Sequence, residues 1–292
     1  MKKVLITGIH SYVGCNLKEY LNKNFVGEYD VHCITMRNDD WKQLSFSSFD
    51  VIVHVAGLAH VDVASVDEKT KQDYYKVNAE MTEEIAMKAI SDGVRQFIYM
   101  SSIIVYSAYK GGCIDKNTPV VAENFYGDSK IKAEEKLSKL EKKNMKIAVL
   151  RPPMIYGKES KGNYPLLAKL ALKVPIFPAT KNRRSMLYIE NLCEFIRLLI
   201  ENEDEGLFFP QNREYTDTAT LIKEIAEVRG KKVRIMFCLH WMVSLAKRFP
   251  GKYGILAEKA FGNLYYDATL SEYKTDYRIF DFKESVKRTE SI

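Results

Sequence analysis

Short apolar, β-branched runs alternate with stretches of helical periodicity through the first half of the chain. "KVLIT" predicts a strand, and Tyr12 to Lys23 a helix behind it. "DVHCIT", "DVIVHVA" and "QFIYMSS" predict three further strands. Between the last two, Val77, Met81, Ile85 and Ala89 mark one face of a helix running roughly from Lys71 to Asp92. Another helix is predicted from about Tyr126 to Lys142, then a strand at "KIAVLRP". Strands that alternate with helices imply an α/β fold, with a parallel sheet covered on both faces by right-handed crossovers. Ligands of such sheets bind beyond the carboxyl ends of the strands.

The second half is less regular. "RPPMIYGKESKGNYP" and "VPIFPATKNRRS" are rich in proline and glycine and predict loops. "GLFFP" predicts one more strand, and the segment from about residue 211 is mainly helical with aromatic-rich ends. The expected division is a dinucleotide-binding domain at 1–155, with 186–210 returning to its sheet. Residues 156–185 and 211–292 then form a smaller, mostly helical substrate domain over the strand ends.

Composition narrows the class. The 292 residues are 46% hydrophobic and 28% charged, which suits a globular protein with a sizeable core. Much of the positive charge between Lys130 and Lys146 is interleaved with Glu134, Glu135 and Glu141, the pattern of a solvated helix face. No basic stripe interleaved with aromatics is evident, so a nucleic-acid partner is not expected. Cys15, Cys33, Cys113, Cys193 and Cys238 are scattered and form no CxxC pair. That argues against a disulfide framework or a metal site and for a cytoplasmic location. No signal peptide or transmembrane segment is predicted. "IMFCLHWMVSLA", 235–246, is interrupted by His240 and Ser244. It reads as a buried or subunit-contact helix, with a surface resting on a membrane as the alternative.

The candidate chemistry falls at the predicted strand ends. "TGIHSYVG", residues 7–14, follows a strand and opens a helix, the setting of a phosphate-binding loop. Gly8 permits a tight turn and Gly14 close helix–sheet packing. Ser11 stands where a further glycine is expected. A left-handed backbone there would cost a serine about 1–2 kcal/mol, but serine is also a strong helix N-cap. Its hydroxyl can cap the helix or bond a phosphate oxygen. In "YGDSK", Tyr126 and Lys130 are four apart and share a helix face. An ammonium near the phenol is expected to lower the tyrosine pKa toward working pH. Upstream, "YMSSIIVY" puts Ser101 and Ser102 at a strand end, where a serine hydroxyl can bond a substrate oxygen and share a proton with the tyrosine. His54 and His60 flank "VAGLA"; His54 is read as a packed strand residue and His60 as a loop residue.

With these elements the chain resembles the extended short-chain dehydrogenases, the NAD-dependent epimerase/dehydratase family acting on nucleotide sugars. The resemblance spans nearly the whole length and rests on "TGIHSYVG", "VIVHVAGLAHV", "YKVN", "FIYMSSIIVYS", "YGDSK", "LRPPMIYG" and "NRRSMLYIENL". It implies a Rossmann-type doubly wound sheet. It makes Ser102, Tyr126 and Lys130 the catalytic triad, with Tyr126 as acid/base. It assigns an NAD or NADP groove to Gly8, Ser11, Tyr12, Val13, Gly14, Arg37, Ala56, Gly57, Asn78, Ser101, Tyr126 and Lys130, with Pro153 beside the nicotinamide. Leu58, Ser102 and Asn163 would face the sugar nucleotide, and Arg184 would grip its diphosphate.

Dehydratases of the family carry an acidic pair after the catalytic hydroxyl. Here Ile103 and Ile104 follow Ser102, so a 4,6-dehydratase is not expected. Two redox readings at sugar C4 remain. "HVAGLAH" is similar to a stretch of the UDP-hexose 4-epimerases, although Ala59 stands where those enzymes often have lysine. "NRRSMLYIENL" also resembles 4-keto reductases of polysaccharide gene sets. A UDP-glucose or UDP-N-acetylglucosamine type 4-epimerase leads; an NAD(P)H-dependent 4-keto reductase of a UDP-4-keto-6-deoxy-hexose is the alternative. The end of the second strand bears on the cofactor. Arg37 can pair with a 2′-phosphate and favours NADP, while Asp39 or Asp40 can fold back to a ribose hydroxyl and favour NAD. Ser45, after the strand-like "QLSF", takes a place where the family often has aspartate. A non-catalytic nucleotide-binding module on the same fold is a third reading, opposed by the intact Ser102, Tyr126 and Lys130. Homodimerisation is the family habit.

Overall fold

The computed structural model describes residues 1–59, 66–140, 144–248 and 261–291. The strand predicted at "DVIVHVA" ends at His54, and His60, read as a loop residue, lies outside the described residues.

Six strands form one parallel sheet: β1 (Lys2–Thr7), β2 (Tyr29–Ile34), β3 (Val51–His54), β4 (Gln96–Met100), β5 (Lys146–Leu150) and β6 (Gly206–Phe208). Their order across the sheet is β6-β5-β4-β3-β1-β2. Buried parallel strands read as continuous apolar runs because both faces are covered. Successive side chains divide between the two faces. Val4, Ile6, Ile98, Met100, Ala148 and Leu150 enter one core. Leu5, Ile52, Phe97, Tyr99, Ile147 and Val149 enter the other.

The helices on the first face are α1 (Tyr12–Asn24) and α6 (Ile189–Asn202), which contribute Leu17, Leu21, Leu192 and Leu199 to its core. On the opposite face, α3 (Met81–Ser91) and α4 (Phe125–Ser138) supply Ile85, Ala89, Ala133 and Leu137. The predicted helix over Lys71–Asp92 is not continuous. Glu68–Tyr75 (α2) passes into a π-helical turn at Lys76–Glu80 before α3 begins. The strand-like "QLSF" forms no strand.

Chain direction matters for binding. From β1 the chain moves outward to β2, then crosses back so that β3 lies on the other side of β1. Connections therefore diverge at the β1 and β3 ends, which opens a crevice at their carboxyl termini.

Beyond β5, Met154–Tyr156 pairs in parallel with Met186–Tyr188. Helices α5 (Asn163–Lys173) and α7 (Thr218–Val228) pack nearby. Ile176–Pro178 pairs with Arg234–Met236, which leads to helix α8 (His240–Arg248). The last helix, α9 (Phe282–Glu290), buries Val286 in the first core.

Candidate active site

The glycine loop closes the crevice from below. Gly8 has φ +93°, and a Cβ there would stand 3.1 Å from Ala56 Cα. Only glycine fits this crossing of the β1 and β3 loops without strain. Ser11 has φ −74° and ψ 139°, ordinary extended backbone, so it carries no left-handed cost. Its hydroxyl accepts the Gly14 N–H at 2.8 Å and caps α1. Gly14 is needed for contact: a Cβ would come 3.0 Å from Ile6 Cγ2 and 3.2 Å from Val55 Cγ2. The Tyr12 and Val13 N–H groups occupy the first helical positions, where no intrahelical carbonyl reaches them. The Tyr12 ring packs into the core, with its hydroxyl against the Cα of Gly157, where a Cβ would approach it to 2.5 Å.

The π-helical turn aims Asn78 at the loop after β3. Asn78 is fully buried. Its Oδ1 accepts the Leu58 N–H (2.8 Å), and its Nδ2 donates to Leu58 O (3.1 Å) and Ser129 Oγ (3.0 Å). Asn78 thus fixes the loop backbone. A Cβ on Gly57 would lie 3.0 Å from Asn78 Oδ1 and 3.4 Å from Lys130 Nζ, so Gly57 is where loop and catalytic helix meet. Leu58 itself is 36% exposed.

Helix α4 carries Tyr126 and Lys130 inward. Asn124 caps it by accepting the Gly127 N–H at 3.1 Å. Gly127 sits so close to the turn at Ile103–Tyr106 that a Cβ would be 2.9 Å from Ile104 O. This approach brings the Tyr126 hydroxyl alongside Ser102. Ser102 begins the turn, its hydroxyl accepting the Ile104 N–H at 3.3 Å. Ile103 N–H donates to Pro152 O at 2.9 Å, which holds the Pro152–Pro153 segment beside the serine. Pro153 is buried there.

The electrostatics differ from the sequence expectation. Burial pushes the Tyr126 phenol up to about 12, with the nearby Tyr74 adding to the rise and the neighbouring Ser102 hydroxyl opposing it. The expected lowering by Lys130 does not occur. Lys130 Nζ donates to Met100 O (2.9 Å) and lies over the Tyr99 ring, 4.9 Å from its centroid. Burial holds its own pKa down, at about 8, against the pull of Glu134. His54 is packed, as its strand position implied. Nδ1 lies 2.7 Å from Thr7 Oγ1 and Nε2 3.0 Å from Thr82 Oγ1, and burial lowers its pKa to about 3.

Sequence reasoning missed a buried cluster behind the site. Glu134 accepts the Ser101 hydroxyl and the Nε–Nη2 edge of the Arg151 guanidinium, with Nε 3.1 Å from each carboxylate oxygen. Arg151 also donates to Tyr106 Oη. The i,i+4 spacing of Lys130 and Glu134 was the available signal; the partner Arg151, on the strand-end segment, was not visible. Ser101 therefore turns its side chain to Glu134.

Arg184 and Asn163 lie together, away from the triad's helix, in a pocket also lined by Met154, Leu166, Leu167 and Thr216. The Arg184 backbone bridges Thr216 and Leu264. Arg37 is exposed just past β2. Asp39 pairs with Lys42 at 3.2 Å, and Asp40 accepts from Asn38 Nδ2 at 2.5 Å.

The crevice fits a dinucleotide. A loop crossing only glycine can fill, free helix N–H groups at the switch point, and the carboxyl ends of β1, β3 and β4 converge there.

Comparison with known proteins agrees. Residues 4–209 match the model of the NAD dependent epimerase/dehydratase family. A UDP-glucose 4-epimerase of Vibrio cholerae is 30% identical over 91% of this chain and 87% of its own. An N-acetyl-alpha-D-glucosaminyl-diphospho-ditrans,octacis-undecaprenol 4-epimerase of Escherichia coli O157:H7 is 29% identical over 80% of this chain and 74% of its own. Among solved structures, UDP-glucuronic acid 4-epimerase from Bacillus cereus in complex with NAD superposes with TM-score 0.73 at 17% identity, covering 99% and 95% of the two chains. Other chains of this fold include dTDP-4-dehydrorhamnose reductases and a complex with NADPH.

Proposed function

The chain belongs to the NAD-dependent epimerase/dehydratase family, and from that premise we propose that it is a UDP-sugar 4-epimerase of the UDP-glucose or UDP-N-acetylglucosamine type. The observation that supports this reading is Ser102 beside Tyr126 at the carboxyl end of the sheet, with Lys130 beside the Gly57 loop. The cofactor is NAD or NADP, held by the N–H groups of Tyr12 and Val13, by the Gly8 crossing and by the loop at Ala56–Gly57. When bound, it would supply hydride exchange at sugar C4.

The protein's own groups handle the proton and the geometry. Ser102 hydrogen-bonds the C4 oxygen and orients it to Tyr126. Tyr126 takes the hydroxyl proton as the carbonyl forms and returns it on reduction. Only its phenolate can take that proton; burial makes the phenolate scarce near neutral pH but strongly basic, and the phenol so formed returns the proton to the C4 oxygen when the carbonyl is reduced. Lys130 positions the Gly57 loop and supplies positive charge next to the site. Arg184 and Asn163 bind the diphosphate and the nucleotide or sugar, which anchors the substrate while the 4-keto sugar turns over. Residues 156–185 and 211–292 form the substrate part. Ile103 and Ile104 leave no proton-transferring side chain just after Ser102, so elimination of water is not part of the proposal.

A second reading, a 4-keto reductase, is favoured by one observation: Arg37 stands exposed at the end of β2 while Asp39 and Asp40 are bonded to other groups. One experiment separates the two. The purified protein is denatured, any released nucleotide is identified by mass, and fresh protein is incubated with UDP-glucose or UDP-N-acetylglucosamine. The expected result is released NAD and the C4 epimer by NMR with no net reduction of cofactor. Empty protein that oxidises NADPH with a UDP-4-keto-6-deoxy-hexose and makes no epimer would establish the reductase instead.

A further inference from the structure

The segment after α7 concentrates the molecule's positive charge. Between residues 229 and 248 stand Arg229, Lys231, Lys232, Arg234, Lys247 and Arg248, with no Asp or Glu, a surplus equal to the +6 of the whole chain. Arg229 is neutralised by Glu290 at 2.8 Å. Lys231, Lys232, Arg234 and Arg248 are exposed.

The same segment exposes large apolar groups. Phe237 is 78% exposed, Trp241 61%, Met242 46% and Leu245 48%. Of the sequence reading, a buried or subunit-contact helix, the burial does not hold in the single chain. Only the inner side of α8 is held to the body: Val243 is buried, and His240 Nδ1 lies 2.8 Å from Ala179 O. Trp241 and Leu245 are four apart on α8 and share one outward side, with Arg248 on the next turn, while Phe237 stands exposed in the 3-10 turn (Phe237–Leu239) just before the helix. An exposed aromatic and aliphatic stripe edged by cations, without a carboxylate, matches a helix lying in a membrane interface. Anionic headgroups complement both features at once, charge at the rim and acyl chain at the centre. A nucleic acid would answer the cations but leave Met242 and Leu245 without an apolar surface.

We propose that this face docks peripherally on an anionic bilayer. Phe237, Trp241 and Leu245 enter the headgroup–acyl boundary, and Lys231, Lys232, Arg234 and Arg248 meet the headgroups. No described helix is long and apolar enough to cross a membrane, so the attachment is to one surface. The docking face belongs to the substrate end of the molecule. Arg234–Met236 pairs with Ile176–Pro178, just after α5, and α5 supplies Asn163 and Leu166 to the pocket with Arg184. Leu166 is itself 58% exposed. This proposal does not depend on which reaction the site performs.

The test is co-sedimentation of the full-length protein with vesicles of phosphatidylcholine, with and without phosphatidylglycerol. Sedimentation is expected with the anionic vesicles and is expected to fall at least tenfold at high salt. Lipids with brominated chains should quench the exposed Trp241, and the quenching should disappear in Trp241→Phe. The double variant Trp241→Glu, Leu245→Glu should lose sedimentation while keeping the circular dichroism and melting temperature of the parent, because both side chains are already in water. Absence of binding to anionic vesicles at low salt would overturn the proposal. So would equal binding by the double variant. If the parent is instead a dimer that the double variant dissociates, and neither binds vesicles, the stripe is covered by a second copy and the proposal fails.

Discussion

The two ends of the candidate site are built from different materials. At the phosphate end the working parts are backbone: the crossing at Gly8, the contact at Gly14, the N–H groups of α1 and the loop clamped by Asn78. At the catalytic end they are side chains, Tyr126 and Lys130 delivered by one helix and Ser102 by the turn packed against it. A side chain at the first end acts mainly by its absence or by its cap. At the second end it acts by its chemistry. Substitutions should therefore damage folding and binding together at one end, and turnover alone at the other.

The largest effect tests that separation at the catalytic end. Tyr126→Phe removes the proton-transferring oxygen and should lower turnover by about 10²–10⁴-fold. The ring keeps its edge contact with Tyr74, whose centroid is 5.9 Å away, so folding and cofactor binding should persist. Substrate conversion and a cofactor titration on the same sample check both halves. Retained turnover would remove Tyr126 from the mechanism.

At the phosphate end, Gly14→Val should do the reverse. The added atoms meet Ser11 Oγ at 2.9 Å as well as Ile6 and Val55, in a core with little room to adjust. Overpacking of this kind costs about 1–3 kcal/mol. Urea unfolding should show the loss, and cofactor affinity should fall with it because α1 must shift. Unchanged affinity would mean that the N–H groups of α1 do not hold the phosphates.

Legibility in the sequence divided along the same line. Strands buried on both faces announced themselves as apolar runs, and Gly8, Gly14, Tyr126 and Lys130 stood in recognisable spacings. Four things were hidden. The π-helical turn at Lys76–Glu80 keeps helical periodicity on either side, so the one-face pattern from Val77 to Ala89 ran straight through it. The Glu134–Arg151 cluster joins residues whose contact depends on tertiary packing. The direction of the Tyr126 shift was misread because spacing shows a neighbouring charge but not burial, and burial dominates. The bonds that the Ser11 side chain and backbone make could not be chosen from sequence either; the structure gives an extended backbone and an N-cap.

Lys130 sharpens the comparison because it joins the two ends. Its folded pKa of about 8 lies below the ordinary 10.5. Between those values the unfolded chain holds a proton that the folded chain lacks, so stability rises with pH across the window, and the burial cost is complete below about pH 8. That cost is ~3 kcal/mol. Lys130→Met removes it but leaves the Met100 carbonyl without its donor, a loss of about 1 kcal/mol. The variant should be inactive yet more stable by ~2 kcal/mol near neutral pH. The advantage should shrink above pH 8 and turn into a deficit of about 1 kcal/mol above the ordinary lysine value. Urea titrations of both proteins across that range measure it, and a pH-independent difference would mean that Lys130 is not a buried, depressed cation.

The smallest expected effect falls on Ser11, the residue that made the loop look faulty. Because its backbone is extended, Ser11→Gly gains no relief from strain. It loses only the cap to Gly14, at a few tenths of a kcal/mol, while Ser11→Ala loses about 1 kcal/mol. Glycine should thus be no more stable than the serine it would conventionally replace, and alanine less stable than either. If glycine were clearly more stable, the loop would carry the left-handed strain that the φ of −74° excludes. The ordering serine, glycine, alanine would instead establish that this phosphate end is held by a capped helix in place of a third flexible glycine.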